Sequence, residues 1–160
     1  MIDIEIQQLY AASYRRLLGQ LIGVTGSVAE AEDVVQEAFV RGLDHPRQLL
    51  GADNPEAWLR TVAVNLARSR WRRAQRVIGL APRLVEKPSD GDTEDNVVLL
   101  QALRRLPAGQ REVIALHYLA DLTVEQVAHT LGVPTGTVKA RLSRGRAALS
   151  ALLVEEGPHV

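Results

Sequence analysis

The sequence predicts an all-α chain of two small helical domains joined by a flexible linker. Three observations carry this prediction. Apolar residues recur at steps of three and four along most of the 160 residues, and no strand-like alternation of useful length interrupts them. Helix-start and helix-stop residues bracket several of these runs. Residues 74–95 change character: Pro82, Pro88 and the polar run from Ser89 to Asp95 offer too little apolar surface to fold alone. The expected division is a first domain at 1–73, a linker at 74–95, a second domain at 96–154 and a tail at 155–160. Each domain is small but long enough to close a core.

In the first domain, Tyr10, Tyr14, Leu17, Leu18, Leu21 and Ile22 make one helical stripe, which Gly23 and Gly26 interrupt. Ser27 and Glu30 are spaced as a capping box for a second helix that buries Ala31, Val34, Val35, Ala38 and Phe39. Asp44 to Asp53 reads as a loop. Asn54 and Pro55 open a third helix as N-cap and first residue, with Trp58, Leu59, Val62, Ala63 and Leu66 as its inner stripe. That helix runs out in a basic tail, Arg68 to Arg73. Trp58 shares the apolar stripe and reads as core; Trp71 sits among arginines and could pack or stack.

The second domain shows four helical runs: Val97–Leu106, closed by Pro107; Gln110–Leu119; Thr123–Leu131; and about Pro134 to Leu153. Thr123 and Gln126 form another capping box. Gly132 stands where a helix end turns left-handed, and Pro134 starts the next helix with its φ preset. Val138, Leu142, Gly145 and Leu149 line that helix's inner side. Two helices meeting through a tight glycine turn are the geometry of a DNA-reading helix-turn-helix. Thr135, Thr137, Lys139, Arg141, Ser143, Arg144 and Arg146 lie outward. Early positions of such a helix reach base edges, and later cations bind phosphates.

Charge agrees. The formal net charge is zero, but residues 96–154 carry seven Lys/Arg against three Asp/Glu, while 74–95 carry three against five. A basic half beside an acidic spacer suits a chain of which one part faces a polyanion. The 22 linker residues could reach about 75 Å fully extended, roughly two turns of B-DNA. With no cysteine, a disulfide framework, thiolate metal sites and cysteine nucleophiles are excluded. His45, His117, His129 and His159 make no metal spacing, so no metal site is expected. The start lacks the layout of a signal peptide, and no apolar run approaches the roughly 20 residues that span a bilayer, so a cytoplasmic chain without membrane insertion is expected.

Three blocks then carry a family resemblance: Ala31 to Phe39 (AEDVVQEAF); Asn54 to Leu59 (NPEAWL), continuing through Val64 to Arg68 and Arg72-Arg73; and Leu106-Pro107, Gln110 to Val113 and Gly132 to Leu142 (GVPTGTVKARL). Over nearly its whole length the chain resembles the extracytoplasmic-function (ECF, group IV) sigma factors of the sigma-70 family. The resemblance implies a sigma-2-like and a sigma-4-like domain, and a non-enzymatic role in promoter-specific transcription initiation. It implies that Asp33, Gln36, Glu37 and Arg41 face the β′ clamp of core RNA polymerase. It places Asn65, Arg68, Arg72 and Arg73 at the −10 promoter element, with the Asp44–Asp53 loop as a pocket wall. It places Thr135, Lys139, Arg141, Ser143, Arg144 and Arg146 at the −35 element, with the second domain on the β flap and the linker threading toward the RNA exit path. An anti-sigma factor is an implied partner.

Two departures stand out. Ala140 replaces a common Ser, and Gly145 replaces a common Ala at about 1 kcal/mol of helix propensity. A stand-alone helix-turn-helix regulator would share the last domain. The Asp33/Gln36/Glu37 face and the Asn54–Arg73 block separate the two readings, because a simple repressor needs neither.

Overall fold

The computed structural model describes residues 2–78 and 94–156. Its helices are α1 (Ile2–Thr25), α2 (Val28–Asp44), α3 (Pro46–Gly51), α4 (Pro55–Ile78), α5 (Glu94–Arg105), α6 (Ala108–Ile114), α7 (Val124–Leu131) and α8 (Thr135–Glu156). No strand occurs among the described residues. The fold class is therefore all-α, as the periodicity predicts. Two compact units are present. Helices α1 (to Leu21), α2, α3 and α4 make the first, and α5 to α8 make the second, to which Ile22–Val28 also belong.

In the first unit α2 buries the five apolar residues its periodicity predicts, Ala31, Val34, Val35, Ala38 and Phe39. The same unit buries Leu17 and Leu21 of α1 and Leu59, Ala63, Val64 and Ala67 of α4, all at most 5% exposed. The α4 stripe is thus rotated from the predicted one. Trp58, Val62 and Leu66 are half-buried, while Arg60 is buried. The cause is a polar network. Arg60 donates from Nε to Gln20 Oε1 at 2.9 Å and lies 3.5 Å from Glu56, and Arg16 donates from Nε to both Glu56 oxygens at 3.1 Å. A buried guanidinium persists only when its donors are satisfied.

The hydrogen bond from Arg16 holds the Glu56 carboxyl below its ordinary range, against a smaller opposing effect of burial and with help from Ser13 and the charge of Arg60. A depressed folded-state value means that the stabilisation is present above the unfolded value and lost as pH falls through the folded one. Glu56→Gln should therefore cost about 1–2 kcal/mol at neutral pH. The gap between variant and wild type should narrow as the medium is acidified through the carboxylate range. Denaturant melts along a pH series check this, and a gap independent of pH would contradict it.

Gly26 ends α1 with φ +74, so Gly23 lies inside the helix rather than breaking it. The predicted Asp44–Asp53 loop contains α3, with Pro46 in its first turn. Its Leu49 is fully buried, and a Cβ on Gly42 of α2 would lie 2.6 Å from Leu49 Cδ2 and 3.7 Å from Trp58 Cζ3. Burial of one leucine against a bare glycine therefore fixes a helix too short to be stable alone. Residues 74–78, assigned to the linker from composition, continue α4, and residues 94–95 open α5. Ala74, Gln75 and Arg76 are good helix formers and nothing breaks the helix before them. The rest of the expected linker, 79–93, and tail residues 157–160 lie outside the described residues.

The second unit packs Leu103, Leu106, Val113, Ile114, Leu116, Val127, Leu131, Val138 and Leu142 into its core. Helix α6 passes into a π-helical turn, Ala115–Leu119, closed by the Ala120 amide on the Ala115 carbonyl at 3.2 Å. Gly145 has a packing reason that sequence alone does not reveal. A Cβ there would stand 3.0 Å from Ile114 Cγ1 and 3.4 Å from Gln110 Cβ, so glycine lets α8 close on α6. Gly19, exposed in α1, has nothing within 4 Å of the same position. Gly19→Ala should stabilise the chain by about 1 kcal/mol. Gly145→Ala should bring no gain, because crowding offsets propensity. Thermal melts of both variants check the pair, and equal gains would contradict the packing account.

Candidate nucleic-acid and partner interfaces

The helix-turn-helix forms as its local chemistry requires. Thr123 Oγ1 accepts from the Gln126 amide at 3.1 Å, and Gln126 Oε1 accepts from the Thr123 amide at 2.9 Å. Gly132 takes the left-handed conformation, φ 67 and ψ 37. Pro134 sits at the N-cap rather than inside the helix, its carbonyl accepting from the Thr137 and Val138 amides. Val138 and Leu142 fill the core, leaving Thr135, Lys139, Ser143, Arg144 and Arg146 exposed and Arg141 partly buried. Positions 126–154 contain no Asp or Glu, so the first half of α8, with Lys139, Arg141, Arg144 and Arg146, is cationic.

Two of the six expected contact residues are also engaged within the unit. Arg146 donates to Tyr118 Oη at 3.1 Å. The Arg141 guanidinium lies against Gly109, where a Cβ would come within 3.4 Å of its Nε and Cζ. The other four, Thr135, Lys139, Ser143 and Arg144, are exposed.

In the first unit Asn54 Oδ1 caps α4 by accepting from the Ala57 amide at 3.1 Å. Asn65, Arg72 and Arg73 are exposed and Arg68 is half-buried. Asn65, Ser69, Arg72 and Arg76 follow at steps of four, three and four, which puts them on one face of the helix, and all four are exposed. Arg76 was hidden from the sequence reading by its place in the expected linker; its i+4 spacing from Arg72 was the available signal. Arg70, half-exposed, points instead toward α2, with Nη1 4.0 Å from Asp33 Oδ2.

On α2, Asp33, Gln36 and Arg41 are exposed and Glu37 is half-exposed, and Arg41 lies 3.6 Å from Glu37 one turn away. Beside them Val40 and Leu43 are 48% and 51% exposed. With Ile6 and Tyr10 of α1, and with Gln36 and Phe39, they line an apolar groove of about 550 Å³. The sequence reading missed Val40 and Leu43, although both follow Gln36 at helical steps. Among the described residues no group of three or more His, Asp or Glu could hold a metal ion, and no helix is long and apolar enough to cross a membrane.

Residues 9–77 match the family model for sigma-70 region 2, and residues 96–149 match that for sigma-70 region 4. The ECF RNA polymerase sigma factor EcfG of Rhodopseudomonas palustris is 33% identical over 141 residues, covering 85% of this chain and 78% of the relative. The chain belongs to the ECF RNA polymerase sigma factors. SigL, an ECF sigma factor of Mycobacterium tuberculosis, is 35% identical over 142 residues, covering 84% of this chain and 80% of the relative. Among solved structures, the sigma factor RpoE of Bartonella quintana, in complex with the anti-sigma factor NepR, superposes with a TM-score of 0.79 at 27% identity, covering 94% of this chain and 97% of that one. As a sigma factor, this protein directs promoter-specific initiation by RNA polymerase. Its first unit holds region 2 and its second unit holds region 4.

Proposed function

We propose that the sigma factor divides its work among three faces. The α2 face, Asp33, Gln36, Glu37 and Arg41, docks on the β′ clamp of core polymerase, and Val40 and Leu43 add the apolar contact. Exposed carboxylates and an amide beside two uncovered aliphatic side chains suit a basic, amphipathic helical partner. Asn65, Arg68, Arg72 and Arg73 on α4, extended by Arg76, hold the separated non-template strand at −10. Strand capture needs cations to track phosphates and a pocket wall for an unstacked base, the place filled by α3 and its flanks. Thr135, Lys139, Arg141, Ser143, Arg144 and Arg146 read the −35 element, with Lys139, Ser143 and Arg144 toward the groove and Arg141 and Arg146 toward the backbone. The second unit rests on the β flap, and residues 79–93 tether it.

Polymerase supplies the chemistry, so the chain acts without enzymatic activity or cofactor, in the cytoplasm where core polymerase works. An anti-sigma factor is the proposed regulator, supported by the likeness to RpoE, whose solved structure holds NepR. One observation carries the reading: the first unit presents a carboxylate-and-apolar face on α2 and a cationic stripe on α4, which a DNA-binding regulator alone does not need. In vitro transcription with purified core polymerase on a pool of random promoters tests it. Enriched start sites preceded by two common elements are the expected result; start sites no different from those of core alone would overturn it.

A further inference from the structure

The π-helical turn that precedes the helix-turn-helix carries an aromatic side chain standing half outside the core. Tyr118, in the turn Ala115–Leu119, is 50% exposed. Its hydroxyl oxygen accepts from Arg146 Nη1 at 3.1 Å, across 28 positions of sequence. The two side chains also line one groove of about 460 Å³, with Ile114, Leu149 and Leu153 in its wall. On α8, Lys139, Ser143 and Arg146 follow at steps of four and three, and all three are exposed. Arg146 therefore continues the stripe proposed to face the −35 element. We infer that Tyr118 and Arg146 form a composite site for one backbone phosphate beside the −35 element, with Tyr118 as a further DNA-contact residue. The inference rests on the proposed backbone role of Arg146 and deepens it by a second donor.

The donors suit one anion. A guanidinium carries five N–H groups, and the bond to Tyr118 takes one of them. The phenol oxygen accepts that bond, which leaves its own proton to donate. A phosphate set in front of the pair accepts a charge-assisted bond from each residue. Register agrees with this place. Arg146 stands seven positions after Lys139, a rise of about 10 Å, close to the major-groove width of about 12 Å. A helix with Lys139 in the groove thus brings Arg146 to the phosphate rim. Tyr118 is held in position by its neighbours. The His117 ring meets it edge-on, with centroids 4.9 Å apart and planes at 77°. His117 Nδ1 donates to the Leu122 carbonyl at 2.7 Å, and the Leu122 amide donates to the Leu116 carbonyl at 3.1 Å. Thr123, the N-cap of α7, follows directly. The π turn thus fixes the phenol relative to the start of the helix-turn-helix. An apolar ring in a groove with its hydroxyl at the surface is the ordinary use of a tyrosine at an interface.

The test uses the full chain bound to core polymerase and a labelled duplex that carries the −35 element and ends upstream of −10, titrated over a range of salt. Tyr118→Phe keeps the ring and removes the hydroxyl, so the melting temperature should stay as in wild type. Affinity for the duplex should fall about three- to tenfold, the scale of one hydrogen bond at an exposed site. Its salt dependence should not change, because no charge is lost, whereas Arg146→Gln should lower the slope by about 0.9. Combining the two should cost no more than about twofold beyond Arg146→Gln alone, since the guanidinium orients the hydroxyl. The preference among single-base variants of the −35 element should not move. Wild-type affinity of Tyr118→Phe would overturn the proposal, and so would fully additive losses or an altered base preference. A loss of affinity accompanied by a lowered melting temperature would assign Tyr118 to the fold and overturn it too. Wild-type affinity and slope for Arg146→Gln would instead overturn the backbone role of Arg146 on which the proposal rests.

Discussion

Replacing Asp33 and Gln36 together by alanine should weaken association with core RNA polymerase by about 100-fold, two polar contacts of the kind that dominate interfaces. Both side chains are exposed on α2, and the buried residues that hold α2 in place, Ala31, Val34, Val35, Ala38 and Phe39, are untouched. Helical content and melting temperature should therefore match wild type. The loss should fall mainly on the dissociation rate, as expected for contacts at the centre of a face rather than at its rim. Competition binding against a labelled wild-type chain reads the effect directly. Unchanged affinity in the double variant would refute the α2 assignment.

The second large effect concerns promoter DNA. Lys139→Ala with Arg144→Ala should reduce transcription from a promoter with its own −35 element by about 30-fold, the scale of two base-edge or phosphate contacts in the major groove. Output from a promoter whose −35 element has been replaced should change far less. Core binding should stay as in wild type, because both residues belong to the second unit and neither is part of the α2 face. The turn itself is held by the Thr123–Gln126 box and by Gly132, which the variant leaves in place. A variant that lost both promoters equally would show that this helix supports the complex without reading the sequence.

Much of this was legible because local chemistry and tertiary packing agree. Asn54, Pro55, Thr123, Gln126 and Gly132 stand where their side chains or backbone freedom are needed, and α2 buries the stripe its periodicity marks. What stayed hidden depends on distant partners. Helix α3 has too few residues to show a period, and only burial of Leu49 against Gly42 makes it a helix. Arg60 reads as a surface residue until Gln20 and Glu56, on two helices, supply its partners. Gly145 looks like a propensity cost until Ile114 and Gln110 are seen against it. At the proposed interfaces the charged residues are the ones the sequence offers. Val40 and Leu43 are not, since an apolar residue on a helix is ordinarily assigned to the core. The pairing of Asp33 with Arg70, 37 positions apart, is likewise a fact of packing.

The claim on which all of this depends is that one chain couples polymerase docking on α2 to strand opening on α4. It is tested most directly by permanganate reactivity of thymines around the −10 element of a promoter taken from the random pool. Core polymerase with the wild-type chain should make those thymines reactive. The chain alone, core alone, and core with the Asp33→Ala/Gln36→Ala variant at the same concentration should not. Thymines opened by the chain without polymerase, or left closed with both present, would contradict the account.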